Sequence, residues 1–288
     1  MSDGLLIHPQ TAAALTAVAG QPPHALLISG PAGMGKTAVA LQLMAELSGI
    51  APDKLAQHQF VRLIEPEKQS IPIEAVRQLD HFFATKMPPD TWRFVLISDG
   101  HRLTREAQNA LLKNLEEPPA RTLITITSNS EQALLPTIRS RVQTLSLIQP
   151  ATSELADYFA KRGYEPAAIK RAVLMSGGLP GLMQALLEQD SEHPLVAASD
   201  LARQIVQATT FERLCLVDTL AKQRELSLDV LAMLGQMAHV ALTSGSDRPA
   251  SAQAVWRRVM QGSYHAAEQL QRNAQAKLVL TDLMLQLA

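Results

Sequence analysis

Over the first half of the chain, short apolar runs alternate with segments in which apolar residues recur at helical spacing. Short apolar runs typical of buried strands cover residues 24–29, 60–64, 93–99, 122–127 and 142–147. Around and between these runs, apolar residues recur at helical spacing over residues 5–20, 36–47, 73–83 and 104–117. This alternation of strands and helices predicts a parallel sheet with helices on both faces.

The pattern changes after the last apolar run. From residue 152 onward only helical periodicity is found, with breaks at Gly163, 176–181, 191–194 and 244–249. Boundaries near residues 149 and 193 predict three domains. They are an α/β domain of residues 1–149, a small helical domain of residues 150–193 and a larger helical domain of residues 194–288. Residues 270–288 are apolar around much of one predicted helix, which indicates packing against other helices.

Composition narrows the class of protein. The 26 Lys and Arg residues nearly balance the 27 Asp and Glu residues, so no strongly basic field indicates a DNA-binding module acting alone. The single cysteine, Cys215, excludes an intrachain disulfide and a cysteine-based zinc site. The first residues lack a basic signal-peptide region, and no apolar stretch is expected to approach the ~18 residues of a membrane span. These features predict a cytoplasmic protein with no membrane partner.

A phosphate-binding loop follows the first predicted strand. Gly30, Gly33, Gly35, Lys36 and Thr37 form a complete G-x-x-x-x-G-K-[ST] motif between a strand and a helix. Glycines allow the backbone N–H groups to approach a polyphosphate, the lysine reaches the β- and γ-phosphates, and the threonine hydroxyl can bind Mg²⁺. The motif predicts ATP or ADP with Mg²⁺ as ligand. The alternative is an intact loop that stays empty.

Polar residues follow two other predicted strands. Ser98 and Asp99 end the strand of residues 93–99, and Asn129 follows the strand of residues 122–127. Ligands of open α/β sheets gather at the carboxyl ends of the strands, so these side chains should lie near the phosphate loop. Asp99 could act as a weak base or Mg²⁺ ligand, or it could be a strand-end carboxylate without a role in turnover.

Residues 101–119, which end in Leu-Glu-Glu-Pro-Pro, closely resemble the signature helix of bacterial sliding-clamp loaders. These are AAA+ proteins of the replicative DNA polymerase holoenzyme. The phosphate loop, residues 137–142 at the position of the Ser-Arg-Cys motif, and residues 273–280 agree with the resemblance. The resemblance implies an α/β AAA+ P-loop domain with a parallel sheet, a small helical lid and an all-α collar domain. It also implies that Asn129 senses the γ-phosphate, although Asn129 could instead cap a turn.

The sequence departs from the clamp-loader pattern at two catalytic positions. Related ATPases carry an Asp-Glu pair, where Asp organises Mg²⁺ and Glu polarises water. Here Ser98 takes the place of the Asp and Asp99 that of the Glu. Leu182 stands where motor subunits carry an arginine in the lid. The resemblance therefore implies at most weak ATPase activity and no polymerase site. The zinc module of many relatives is also not expected, because its four cysteines are missing.

Arg141 is the candidate catalytic residue. In clamp loaders the matching arginine reaches the γ-phosphate bound to a neighbouring subunit, where an arginine finger can raise the rate about 10³–10⁵-fold. The alternative is an arginine at a helix end, paired with a carboxylate. Arg139, two residues earlier, is expected to be structural.

The resemblance implies a subunit of a hetero-oligomeric ring that loads the polymerase clamp. Its partners would be gamma/tau-like and delta-like subunits, with the sliding clamp and primed DNA reached through the complex. The alternatives are an active AAA+ motor subunit and an independent P-loop nucleotide enzyme. Both require turnover by the isolated chain, which Ser98 and Leu182 argue against.

Overall fold

The computed structural model describes residues 5–67, 70–190, 193–243 and 249–287. The chain forms two compact units, Met1–Gln149 and Pro150–Ala288. The second unit spans the residues of both helical domains expected from the sequence. The division of this unit into a lid and a collar stays a prediction.

The first unit is built on a five-stranded, all-parallel sheet of order β2-β3-β4-β1-β5. Its strands are β1 (Ala25–Ser29), β2 (Val61–Ile64), β3 (Arg93–Ile97), β4 (Thr122–Ser128) and β5 (Gln143–Ser146). Its helices are α1 (Pro9–Gly20), α2 (Lys36–Ser48), α3 (Pro52–Leu55), α4 (Ile73–Ala84), α5 (Arg105–Glu116) and α6 (Pro136–Arg139). The parallel sheet predicted from the alternating pattern is confirmed.

The inner strands are buried along their whole length. Every residue of β1, β3 and β4 is buried, as expected for parallel strands covered on both faces. On one face, buried Val76 and Leu79 of α4 and Leu111 of α5 join Ile97 and Ile124 in the core. These contacts fix the carboxyl ends of the strands, where the candidate site lies.

Local hydrogen bonds decide where two helices of this unit begin. The sequence pattern predicted a first helix over residues 5–20, but α1 begins at Pro9. The Nδ1 of His8 accepts a hydrogen bond from the Gln10 N–H, and proline is favoured at the first helical position. The Thr104 hydroxyl likewise caps α5 by accepting from the Ala107 N–H at 3.2 Å.

The described part of the second unit contains helices and no strand. The helices are α7 (Thr152–Lys161), α8 (Pro166–Ser176), α9 (Pro180–Glu188), α10 (Pro194–Gln207), α11 (Thr210–Lys222), α12 (Arg224–Thr243), α13 (Ala250–Gln271) and α14 (Ala276–Gln286). The single helix expected over residues 270–288 is wrong. Within this range, residues 270–271 end α13 and residues 276–286 form α14, and in the turn between them Asn273 has a φ of 64°. Residue 288 lies outside the described residues.

A capping box separates α10 from α11. The Thr209 hydroxyl accepts from the Glu212 N–H, and a Glu212 carboxylate oxygen accepts from the Thr209 N–H at 2.8 Å. The T-x-x-E pattern that specifies this start is visible in the sequence. The helical periodicity on both sides concealed the break between the two helices.

The helix α12 is the central element of the second unit and packs against α10 and α13. By length and composition it could cross a membrane, with a mean hydropathy of 1.4. The expectation that no stretch of the chain approaches such a length is therefore wrong. More than half of this stretch is buried within the protein, as in the core helix of a globular unit.

Candidate functional site

The candidate site lies at the carboxyl edge of the sheet. The parallel pairing of β1 with β4 sets Ser29 opposite Ser128, so the residues that follow these two strands lie side by side. The phosphate loop follows Ser29, and Asn129 follows Ser128. The strand β3 pairs with β4 on its other side and delivers Asp99 to the same edge. The register thus brings together the polar strand ends predicted from the sequence.

The phosphate loop has the backbone conformation that its glycines permit. Gly33 and Gly35 adopt φ values of 80° and 81°, in the left-handed region that favours glycine. Gly35 is the residue before the first turn of α2, so the helix begins at Lys36 with its N–H groups at the loop. A Cβ on Gly30 would lie 3.3 Å from the Cβ of Leu147, so this position is also sterically tight. This conformation is compatible with the phosphate-binding role predicted for the loop.

The Lys36 side chain is buried and turned back onto the loop. Its Nζ donates hydrogen bonds to the carbonyl oxygen of Gly30 at 2.9 Å and of Pro31 at 2.8 Å. A third bond of 2.6 Å goes to the Oδ1 of Asn129. Burial lowers the pKa of Lys36 from 10.5 to about 8, while the charge of Asp99 acts in the opposite direction. The ammonium is held by neutral acceptors with a carboxylate nearby.

His101 lies beside Asn129 and was missed by sequence reasoning. Its Nδ1 is 3.4 Å from the backbone nitrogen of Asn129, and its Nε2 is 3.5 Å from the Asn129 Nδ2. Burial lowers the pKa of His101, the charges of Arg102 and Lys36 lower it further, and Asp99 opposes them. The signal available in the sequence was its position two residues after Asp99, at a strand end.

Asp99 adopts an unusual backbone conformation for a non-glycine residue, with a φ of 52°. Its N–H donates to the Thr127 hydroxyl of β4 at 3.0 Å, which fixes the turn after β3. Ser98, the preceding residue, is buried, and its N–H donates to the Ile64 carbonyl. Where related ATPases place an aspartate, this strand end therefore presents a hydroxyl that cannot hold Mg²⁺ as a carboxylate does.

Sequence reasoning also missed the hydrogen bonds that fix the loop carrying Asn129. The Ser29 hydroxyl donates to the Glu131 Oε1 at 2.6 Å, and the Ser146 hydroxyl lies 3.4 Å from the same oxygen. The residues come from β1, β5 and the loop after β4. Only the strand order brings them together, so the linear sequence gave no signal for this cluster.

Arg141 lies at the surface just after α6. Its guanidinium forms an ion pair of 2.6 Å with Glu116 of α5 and donates to the Thr137 carbonyl at 3.0 Å. Its side chain is 36% exposed. Within the single chain Arg141 is therefore paired with a carboxylate, as the alternative interpretation expected. Its role toward a neighbouring subunit stays a prediction, as does the structural role of Arg139, which is exposed.

The other predicted positions are distributed between the two units. Thr37, in the first turn of α2, is half-buried at the phosphate loop. Leu182 of α9 is fully buried within the second unit, as an apolar core side chain. Neither Ser98 nor Leu182 carries a charged side chain. The weak turnover expected from these two positions stays a prediction.

Comparison with known proteins shows similarity to DNA polymerase III subunits. The model of the family described as DNA polymerase III, delta subunit, matches residues 9–151. The DNA polymerase III subunit delta' of Pseudomonas aeruginosa is 33% identical over 181 residues, which are 57% of this chain and 55% of the relative. The subunit delta' of Escherichia coli is 29% identical over 190 residues, 60% of this chain and 57% of the relative. The matches thus span a little over half the length of these relatives.

A solved structure agrees with the fold. The DNA polymerase III gamma subunit-related protein of Thermotoga maritima aligns with a TM-score of 0.51 and 18% identity. The alignment covers 96% of this chain and 97% of that protein. At this level of identity the likeness concerns the fold alone.

The parallel sheet, the phosphate loop after β1 and the helical second unit make up the fold of an AAA+ P-loop protein. Almost half of the chain, residues 9–151, is similar to the DNA polymerase III delta subunit family. Residues 58–60 and 63–67 resemble delta-prime most among the clamp-loader subunits, and this resemblance is confirmed by the two relatives.

Proposed function

We propose that this chain is the delta-prime-like subunit of a bacterial sliding-clamp loader. In this proposal it binds nucleotide weakly or structurally, hydrolyses it poorly and supplies Arg141 to the ATP site of a neighbouring motor subunit. The observation that carries the proposal is the family match over residues 9–151, because this segment contains both the phosphate loop and Arg141. The ring would use ATP to load the polymerase clamp on primed DNA.

The candidate site supports a subunit that holds nucleotide without turning it over. The phosphate loop keeps its glycines, Lys36 and Thr37, which supports binding of ATP or ADP with Mg²⁺. Ser98 removes the carboxylate that organises Mg²⁺ for hydrolysis in related ATPases. The rival function, an active motor subunit or an independent P-loop enzyme, is disfavoured for the same reason.

Apolar side chains on the surface of the second unit support assembly into a ring. Phe211 of α11 is 76% exposed, and Leu278 and Leu285 of α14 are 65% and 51% exposed. The bond from Arg213 to the Leu287 carbonyl and the ion pair from Lys277 to Asp218 align these two helices. Large exposed apolar residues grouped on adjacent helices are typical of interaction sites. Gamma/tau-like and delta-like subunits are the proposed partners, in the cytoplasm.

The test uses the reconstituted clamp loader, with its motor subunits, clamp and primed DNA. The expected result for Arg141→Ala is normal assembly by gel filtration and a fall of at least about tenfold in the stimulated ATPase rate, because an arginine finger acts on the transferred phosphate. Arg139→Ala is the matched control, since this exposed arginine lies two residues earlier, at the end of α6. It should leave the rate unchanged.

Two results would speak against the proposal. Undiminished ATPase activity in the Arg141→Ala complex would exclude the finger. Turnover by the isolated wild-type chain with Mg²⁺, at the ~1–100 s⁻¹ of typical phosphotransfer enzymes, would favour the rival enzyme.

A further inference from the structure

The Lys36 ammonium is held in place by acceptors of its own chain. Lys36 Nζ makes three hydrogen bonds, of which the shortest, 2.6 Å, goes to the Asn129 Oδ1. We propose that Asn129 and His101 form a latch that holds the Lys36 ammonium against the phosphate loop and thereby weakens nucleotide binding. We call these three residues the Lys36 latch. The inference rests on the proposed function in one respect, that the loop takes a nucleotide.

The orientation of the Asn129 amide follows from its contacts. Its Oδ1 accepts from Lys36, so its Nδ2 faces His101. Its backbone N–H also faces His101, at 3.4 Å from Nδ1. Both ring nitrogens thus face N–H donors of Asn129. A neutral imidazole can accept a hydrogen bond from one of these donors, whereas an imidazolium has no acceptor. Neutral His101 therefore acts as a positioning residue for Asn129.

The loop that carries Asn129 is fixed on its other side as well. Ser29 donates to Glu131 at 2.6 Å, and the Ser128 hydroxyl donates to the Ser130 carbonyl at 2.7 Å. Asn129 lies between these two anchors in the chain. Its amide is consequently presented to Lys36 by a loop whose position is set before any ligand enters.

Binding of a diphosphate requires Lys36 to turn from the loop carbonyls toward the phosphate oxygens. The bond to Asn129 involves an ionised donor, and such bonds are about twice as strong as those between neutral groups. Lys36 gives up this bond when it turns toward a phosphate, so the bond opposes nucleotide binding. ADP has no γ-phosphate for Asn129 to contact, which makes ADP the probe that isolates the latch.

The first test measures binding of a fluorescent ADP analogue with Mg²⁺ to the full-length chain. Asn129→Ala removes the acceptor from Lys36 and should tighten binding by roughly tenfold, the equivalent of one such bond. Gln132→Ala is the matched control, because its side chain lies in the same loop and contacts the Ser130 hydroxyl rather than Lys36. This control should bind as the wild-type chain does.

A second pair of variants tests the positioning role of His101. His101→Ala should tighten ADP binding in the same direction as Asn129→Ala, because it releases the Asn129 amide. His101→Gln keeps a side-chain acceptor and should retain the affinity of the wild-type chain. If both variants bind ADP as the wild-type chain does, His101 has no positioning role.

An independent readout does not require nucleotide. Acetylation of Lys36 by acetic anhydride, followed by mass spectrometry, should be at least about threefold faster in Asn129→Ala than in Gln132→Ala, because a hydrogen bond to the amine is lost. Exposed Lys113 provides the internal reference within each sample. Unchanged Lys36 reactivity would overturn the latch whatever the binding data show.

The outcomes separate the latch from the proposed function. Unchanged ADP affinity with weakened ATP affinity in Asn129→Ala would mean that Asn129 contacts only the γ-phosphate, and the latch would be overturned. A different result would be faster acetylation of Lys36 in Asn129→Ala with no ADP binding in any variant. That result would refute nucleotide binding by the loop, and with it the effect of the latch on nucleotide affinity. The arginine-finger part of the proposed function would be untouched, since the Arg141→Ala complex tests it separately.

Discussion

The Lys36 ammonium lies 2.6 Å from the Oδ1 of Asn129, 93 positions further along the chain. The contact exists because β1 and β4 are adjacent and parallel, with Ser29 opposite Ser128. One lysine and one amide at two strand ends therefore connect the phosphate loop to the loop after β4.

The affinity for nucleotide should fall at alkaline pH because of the charge of Lys36. Burial holds the pKa of Lys36 at about 8, and bound phosphates would raise this pKa because they favour the ammonium. Above pH 8 the lysine must take up a proton to bind, so the affinity for ADP should fall, approaching tenfold per pH unit. Fluorescence titrations between pH 7 and 9.5 measure this slope.

Lys36→Arg provides the control for that slope. The guanidinium remains protonated over this pH range, so the variant should show no corresponding loss of affinity. A wild-type affinity that is constant from pH 7 to pH 9.5 would contradict the prediction.

His101 should make the free energy of unfolding depend on pH in the acidic range. Burial, Arg102 and Lys36 lower its pKa below 6.5, and Asp99 opposes them without reversing the shift. As pH falls below 6.5 the unfolded chain binds the proton first, so the free energy of unfolding should decrease until the lowered pKa is passed. Urea denaturation of the wild-type chain and of His101→Gln at pH 7.5 and pH 5 checks the sign. A wild-type chain that loses no more stability than the variant would disprove it.

Gly177 should be intolerant of alanine for two separable reasons. Its φ is +62°, and an added Cβ would lie 2.3 Å from the Cβ of Gln236 on α12. The left-handed conformation costs alanine about 1–2 kcal/mol, and overpacking adds about 1–3 kcal/mol. Gly177→Ala should therefore lower the free energy of unfolding of the second unit by about 2–5 kcal/mol, as measured by urea denaturation.

Gly163→Ala separates the two costs. Gly163 has a φ of +87°, and nothing lies within 4 Å of an added Cβ. This variant should show the conformational cost alone, about 1–2 kcal/mol. Equal destabilisation of the two variants would mean that the contact with Gln236 relaxes freely.

The breaks between helices were the least predictable part of the second unit. The apolar pattern over residues 270–288 continues across the turn at Asn273, so periodicity alone indicated a single helix. The turn is stabilised by the Arg272 and Ala274 N–H groups, which donate to the last carbonyls of α13. Such backbone capping depends on conformation more than on residue type, and the sequence signal for it is weak.

The sequence by itself determined the chemistry of the phosphate loop, the alternation of strands and helices in the first unit, and the substitution of Ser98 for a catalytic aspartate. These features are local, because each depends on residue type and short spacing. The tertiary structure alone decided that Asn129, His101 and Lys36 meet, that Glu131 anchors the same loop, and that Arg141 pairs with Glu116. These contacts depend on strand order, register and helix packing, which join residues far apart in the chain and leave no periodic trace in the sequence.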